Sequence, residues 1–525
     1  MSLKQQASSG SEVDERLAAL MTNANAVRAI AAAVEGTLGP KGLDTMLVDK
    51  FGDVVITNDG VTILTMMEAS HPAARMVVNV ARAQQEEVGD GTTTATVLAG
   101  ALVGEAVSQV VRGVPVTRVI EGIKKGIALA LEELNRLSRP VAGLDDPVLA
   151  RVALIAGREH EDIAALVMEA ARLTGREKLR ERGFKLADAV MAKEGAENQV
   201  FQGVIITKEP MNTLMPTSLE DVKVLVVDDA LEPEELEEEA LGTEAGFKRY
   251  LELRQEFREW IHKIVELGVG LVLVDRGVDD EAEEILTDAG VMVIQRVANR
   301  ELEKAREHTG ARSIKRTGLK KSAGELENYL GRAARVEVDK KLELVRIFRG
   351  AGKPAATVLV GAATDEVVGE RERIARDAAS SLQAAVRGGY VPGGGAVELA
   401  LSRYLSRQKS QVRGMAVYGF ECVIEALKRP FMQIVTNAGF NPLEKIGDVL
   451  AAQEEKDSCS LAVDCETGEI ADMLELGVVD PTPVKYHAIK AAGEIAVAIL
   501  RIDTIIRMKE EEKKKNSHEE EWLER

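Results

Sequence analysis

Gly89-Asp90-Gly91-Thr92-Thr93-Thr94 is the stretch on which the reading of this chain turns. Its glycines let backbone amides come close to phosphate oxygens. Its three threonines stand where a helix is predicted to begin, and there free N–H groups and the helix dipole favour an anion. Asp90, in the same turn, suits Mg²⁺, a hard cation that takes oxygen ligands and bridges phosphates. The same residues also make an ordinary capped helix after a glycine turn, and the stretch alone does not separate the two readings.

Working outward, an upstream helix is predicted over Pro72 to Glu87. Before it, Asn58-Asp59-Gly60 lies between two β-branched runs, Val54 to Thr57 and Val61 to Leu64. That pattern predicts a hairpin, whose tip could present Asp59 to a phosphate or a water, although on this stretch alone a plain turn is the simpler reading. An Ala-rich helix over Val13 to Glu35 stops at a turn, Thr37-Leu38-Gly39-Pro40-Lys41-Gly42. This turn could lie along a nucleotide with Lys41 near its phosphates, and a helix C-cap explains it as well. Far downstream, Asp377 falls in a predicted helix over Glu370 to Val386, where an acid is ordinarily a surface residue. Five glycines follow within Gly388 to Gly395, enough for a hinge or a close backbone approach.

The middle of the chain changes character. Val222 to Val227, Val269 to Val274 and Val291 to Ile294 read as buried strands, with a helix over Asp280 to Asp288. This rhythm predicts a separate α/β unit inside helical flanks. Between the first two strands, Asp228 to Gly246 holds nine acids and no base. An amphipathic helix over Phe247 to Leu267 follows, carrying Phe247, Tyr250, Phe257 and Trp260, so the segment reads as a projecting insertion.

Composition limits the possibilities. The 525 residues exceed one ordinary core. Sixty-seven bases against 86 acids give a net charge of −19, which argues against a partner held by nucleic-acid phosphates. Nine of those acids fall in Asp228 to Gly246. Aromatics number only 17, so the cores must be aliphatic. There is no run of apolar residues long enough to predict a membrane helix. The N-terminal MSLKQQASSGSEVDER has no secretion segment, which predicts a cytoplasmic protein. Cys422, Cys459 and Cys465 lack metal-ligand spacing and read as reduced thiols. The chain contains no GxxxxGK[ST], no GxGxxG after a strand, no HExxH and no GxSxG, so any ATP chemistry lies outside the P-loop architecture.

Six stretches occurring in order resemble a chaperonin subunit: GTLGPKGLDTMLVD (36–49), ITNDGVTIL (56–64), GDGTTTATVLAG (89–100), VPGGGAVELAL (391–401), GEIADMLELGVVDPTPVK (468–485) and AILRIDTII (498–506). The insertion at 228–267 is similar to the helical protrusion of the group II type, which serves as a built-in lid. Two departures are similar to the bacterial group III subgroup. No lysine stands between Lys125 and Lys178, where the archaeal type carries a γ-phosphate sensor, leaving Arg158 as the substitute or the coupling altered; and Asp480 is the group I choice.

The resemblance implies a multidomain α and α/β fold. A mostly helical equatorial ATPase domain would take 1–140 and 390–525, a small α/β intermediate hinge 141–200 and 353–389, and an α/β apical domain with its lid 201–352. It implies ATP and Mg²⁺ as cofactors. Leu38, Gly39 and Pro40 would lie along the nucleotide, Gly91, Thr92, Thr93 and Thr94 would cradle its phosphates, and Asp90 would ligate the metal. Asp59 and Asp377 would be catalytic, orienting the attacking water. Gly394 would allow approach to the ribose, Asp480 would bond it, and Lys485 would lie nearby. The implied partners are non-native client proteins and further subunits, in stacked rings of about eight, with no separate co-chaperonin, nucleic acid or membrane. A small-molecule kinase and a turnover-free scaffold are the alternatives. The first needs an acceptor pocket in the α/β unit, and the acids Asp59, Asp90 and Asp377 argue against the second.

Overall fold

A computed structural model of the chain describes residues 3–234 and 243–503, with the side chains of the first helix described from residue 17 onward. Residues 235–242 of the acidic run and the charged stretch after Met508 lie outside the described residues.

The flanks of the chain build a helical layer. The helices Leu3–Glu35, Pro72–Glu87, Thr92–Val111, Val116–Leu137, Ala416–Asn437 and Thr482–Leu500 share one apolar core. Thr92–Val111 lies at its centre, with Ala95, Leu98, Ala99, Leu102, Val103 and Ala106 all buried. Thr92–Val111 and Leu17–Glu35 are long and apolar enough to cross a membrane by length and composition, but both put their apolar residues into this core. Small residues stand in for the missing aromatics. A Cβ on Gly122 would collide with the Ala416 carbonyl, and one on Gly419 with the Val119 carbonyl. The two helices therefore cross backbone against backbone, which only glycine permits.

A second core joins helices Pro147–Ala156, Glu161–Thr174 and Asp365–Gly388 to strands Val190–Glu194 and Ala356–Ala362. Those strands begin a nine-stranded mixed sheet. Its order is Val190–Glu194, Ala356–Ala362, Gln199–Ile206, Leu344–Gly350, Gly331–Asp339, Ser218–Val227, Val269–Val274 and Met292–Ile294, with Ser313–Ile314 beside Ser218–Val227. The expected boundary at 200/201 falls inside Gln199–Ile206. That strand pairs with Ala356–Ala362 through residues 199–202 and with Leu344–Gly350 through 203–206.

Two expectations are corrected. Asn58-Asp59-Gly60 is not a hairpin tip. Val54–Thr57 pairs with the earlier strand Thr45–Val48, around a turn in which Asp49 Oδ1 accepts from the amides of Phe51 and Asp53. Asp59 instead caps a short helix, Gly60–Met66, accepting at Oδ2 from Thr62 N at 2.9 Å and Thr62 Oγ1 at 2.6 Å. Short polar side chains compete for backbone amides in this way, and here the cap wins over the turn. The second correction concerns the amphipathic helix, Glu244–Glu266. Its last half is packed onto the sheet, with Phe257 and Trp260 buried beside Ile261 and Ile264. Only its first turns present apolar surface, at Phe247 and Leu251.

Candidate functional site

Residues from six separate segments converge on a cavity of about 220 Å³, among them Leu38, Asp59, Asp90 to Thr94, Arg158, Asp377, Ser381 and Asp480. A larger cavity of about 490 Å³ lies between Lys178–Ala189 and Arg300–His308, and contains none of the residues expected to handle a nucleotide.

Local chemistry explains how the loops deliver their groups. Gly91, at φ +76°, turns the chain into helix Thr92–Val111, and no side chain caps that helix. Its first amides are thus available to an anion. A Cβ on Gly60 would collide with Thr93 Oγ1, and one on Gly91 with Val484, so the two helix starts sit as close as glycine allows.

Four carboxylates, those of Asp59, Asp90, Asp377 and Asp480, line this space. Asp90 Oδ1 accepts from Gly91 N at 2.6 Å, and Oδ2 accepts from Ser381 Oγ. Burial raises the Asp90 carboxyl above its usual range, against the pull of these two hydrogen bonds. Asp377 is pushed well above its ordinary value, first by burial and then by the charges of Asp90 and Asp59, with Arg158 and Arg373 opposing. Acids that suppress one another's ionisation mark a site where carboxylates outweigh the nearby cations. Among the described residues no three or more His, Cys, Asp or Glu side chains form a complete metal cage. Asp90 with phosphate oxygens and water fits Mg²⁺, which keeps several waters and takes few protein carboxylates.

Arg158 stands where the sequence lacked a lysine. It lines the cavity with φ +51° and pairs with Glu370 at 2.6 Å. Leu38 lines the cavity too, together with Thr37. Gly39 turns away to pack on Ile434, and Pro40 is exposed, so neither is in the lining. Gly394 faces Met473; it is Gly393 whose Cβ would stand 3.1 Å from Asp480 Oδ2. Lys485 lies behind the cavity wall, bonded to Asp480 Oδ2 at 2.8 Å and to the fully buried Glu398 at 2.7 Å. Sequence reasoning missed Ser381 and Asn58. Ser381's one sequence signal was its place a helical turn after Asp377. Asn58 carries a buried side-chain oxygen with no partner.

The helix bearing Asp377 presses on the Asp90 loop. A Cβ on Gly89, which is at φ +74°, would collide with Ser380. Gly89→Ala should therefore both strain the loop, by about 1–2 kcal/mol, and force the helix back. The expected result is ATP turnover several-fold lower in a steady-state assay; unchanged turnover would show that this approach is not needed.

The comparisons with known proteins agree with this geometry. Residues 30–510 match the TCP-1/cpn60 chaperonin family. A thermosome subunit of Pyrococcus abyssi is 38% identical over 512 residues, 94% of this chain and 92% of that protein. Thermosome subunit beta of Archaeoglobus fulgidus is 36% identical over 513 residues, with the same two coverages. A group III chaperonin, crystallised in the open state, is 51% identical with a TM-score of 0.87, covering 94% of this chain and all of that one. From six ordered motifs, a fold matched across nearly its whole length and an acid-lined cavity at the expected loops, the chain belongs to the TCP-1/cpn60 chaperonin family, in its thermosome-like branch.

Proposed function

We propose that this chaperonin subunit, an ATP hydrolase coupled to protein folding, binds Mg-ATP in the acid-lined cavity and uses hinge closure to move a built-in lid over client proteins. The observation that carries this reading is the convergence of Asp59, Asp90 and Asp377 on one cavity from three distant segments. Residues 1–140 and 390–525 form the equatorial unit in this reading, 141–200 and 353–389 the hinge, and 201–352 the apical unit, whose protrusion is the part of 228–267 before the packed half of helix Glu244–Glu266. The separate apolar cores of the flanking helices and of the hinge helices support that division.

In the mechanism, the amides at the start of Thr92–Val111 and the hydroxyls of Thr92 to Thr94 receive the phosphates. Asp90 would hold Mg²⁺, which when bound would supply positive charge against the phosphate oxygens. Asp59 and Asp377 hold the attacking water in line and accept its proton. Asp480 accepts from a ribose hydroxyl, Leu38 packs along the nucleoside, and Arg158 reaches the γ-phosphate in place of a lysine. Asp377 comes from the hinge while Asp59 and Asp90 come from the equatorial unit, so catalysis requires closure. ATP then favours the closed state by its differential affinity.

Assembly into stacked rings has its own support. The ribbon of Thr45–Val48 and Val54–Thr57 exposes Met46, Val48, Phe51, Val54 and Ile56, and no third strand joins it among the described residues. Such a ribbon is marginal alone and offers an open edge, so a neighbouring subunit is its natural cover. The protein works in the cytoplasm without a separate co-chaperonin. Light scattering should give a mass near that of about sixteen subunits, and a monomer would overturn the reading. Negative-stain images with and without an ATP transition-state mimic should show rings whose lids close. Deleting 235–252, which spares the packed Leu253, Phe257 and Trp260, should abolish client enclosure without dissolving the rings.

A further inference from the structure

We propose that Ser381 is a positioning residue of the nucleotide site: its hydroxyl orients the Asp90 carboxylate for metal and ties that carboxylate to the helix that carries Asp377. This rests on the reading of Asp90 as a metal ligand. Ser381 is fully buried and lines the same cavity. Its Oγ donates to Asp90 Oδ2 at 2.5 Å, joining segments 291 residues apart. A serine hydroxyl has one proton to give, and in a helix it commonly returns it to a carbonyl one turn earlier. Here the proton goes across to Asp90.

The effect on Asp90 is geometric. Oδ1 is held by the amide of Gly91 and Oδ2 by Ser381, so the carboxylate is fixed from both ends. A carboxylate offers about four lone-pair positions, so two remain for a cation without breaking either bond. Partners that orient a ligating carboxylate sharpen a metal site although they never touch the metal.

The effect on the hinge follows from helical spacing. Asp377 and Ser381 are four residues apart in helix Asp365–Gly388 and share a face. The neighbouring Ser380 seats its side chain against Gly89, so the helix meets the Asp90 loop with no room for a side chain at Gly89. Closure that brings Asp377 to the nucleotide must also bring Ser381 to Asp90. Metal affinity and hinge closure are then linked, and each strengthens the other.

The test measures metal binding directly in the full-length assembled protein. Free Mn²⁺ is followed by electron paramagnetic resonance during titration, in the presence of a non-hydrolysable ATP analogue. Ser381→Ala should bind Mn²⁺ about 10-fold or more weakly. Affinity for the analogue without metal should stay at the wild-type value, whereas a merely structural lesion would lower it too. Asp90→Asn is the reference and should lose most Mn²⁺ binding. Wild-type affinity in Ser381→Ala beside lost affinity in Asp90→Asn overturns the assignment of Ser381 alone. Wild-type affinity in both overturns the metal reading of Asp90 and the Ser381 proposal with it.

Discussion

Replacing Asp377 by Ala is expected to leave ATP bound and to slow its hydrolysis by about 10²–10⁴-fold, the range that a positioned acid–base group contributes. The substitution should not damage the fold. Ala375, Ala378 and Ala379 already bury their methyl groups around this position, and alanine is the best helix former. Nor should it weaken binding. The Asp377 carboxyl is held well above its usual range by burial and by the charges of Asp90 and Asp59, so removing it relieves repulsion in the empty site. It also removes one negative group from the path of an anionic nucleotide. Affinity should therefore be unchanged or higher while the chemical step collapses, which equilibrium binding and single-turnover hydrolysis separate. Asp59 is a poorer choice for this experiment, because its side chain also caps helix Gly60–Met66 and alanine there would cost about 0.5–2 kcal/mol of local stability. Turnover of Asp377→Ala within about twofold of wild type would remove this residue from the mechanism.

What the sequence made legible was the chemistry of short contiguous stretches. Gly91 and Thr92 to Thr94 declared a helix start open to anions because glycine's positive φ and the hydroxyls act within one turn. Asp59 lines one cavity with Asp90 and Asp377, but through a different local structure from the expected hairpin tip: turn and cap use the same residues, and pairing with Thr45–Val48, a contact outside the motif, decided between them. Ser381 and Arg158 were hard to read because their meaning lies in partners across the chain, Asp90 and Glu370. The choice between Gly393 and Gly394 depended on which faces Asp480, which three consecutive glycines do not encode. The spacing of Phe257 and Trp260 gave a helix face correctly, but whether sheet or solvent covers a face is a tertiary matter.

Lys485 supplies the last prediction, because the structure moves it from the nucleotide to the support behind it. Glu398 is fully buried on helix Ala396–Gln408, and its charge is answered by Lys485 on helix Thr482–Leu500. Burial works against the ammonium, yet Asp480 and Glu398 outweigh it and hold Lys485 above the usual lysine range. One cation thus anchors the acid expected to bond the ribose and neutralises a second acid that has no access to water. Lys485→Met strands Glu398 in the core, and breaking a buried pair from one side costs about 3–5 kcal/mol. For a helical unit of this size that corresponds to a fall of about 6–20 °C in its thermal transition. Adding Glu398→Gln removes the stranded charge and should recover most of the loss, since neutralising both partners spares the desolvation that single removal incurs. The double variant should still bind ATP more weakly than wild type, because Asp480 no longer has the ammonium that fixes it. If Lys485→Met melts within about 2 °C of wild type, under 1 kcal/mol on the same scale, the pair is not what joins these helices. If the double variant recovers stability and full affinity together, Asp480 is held by something other than Lys485.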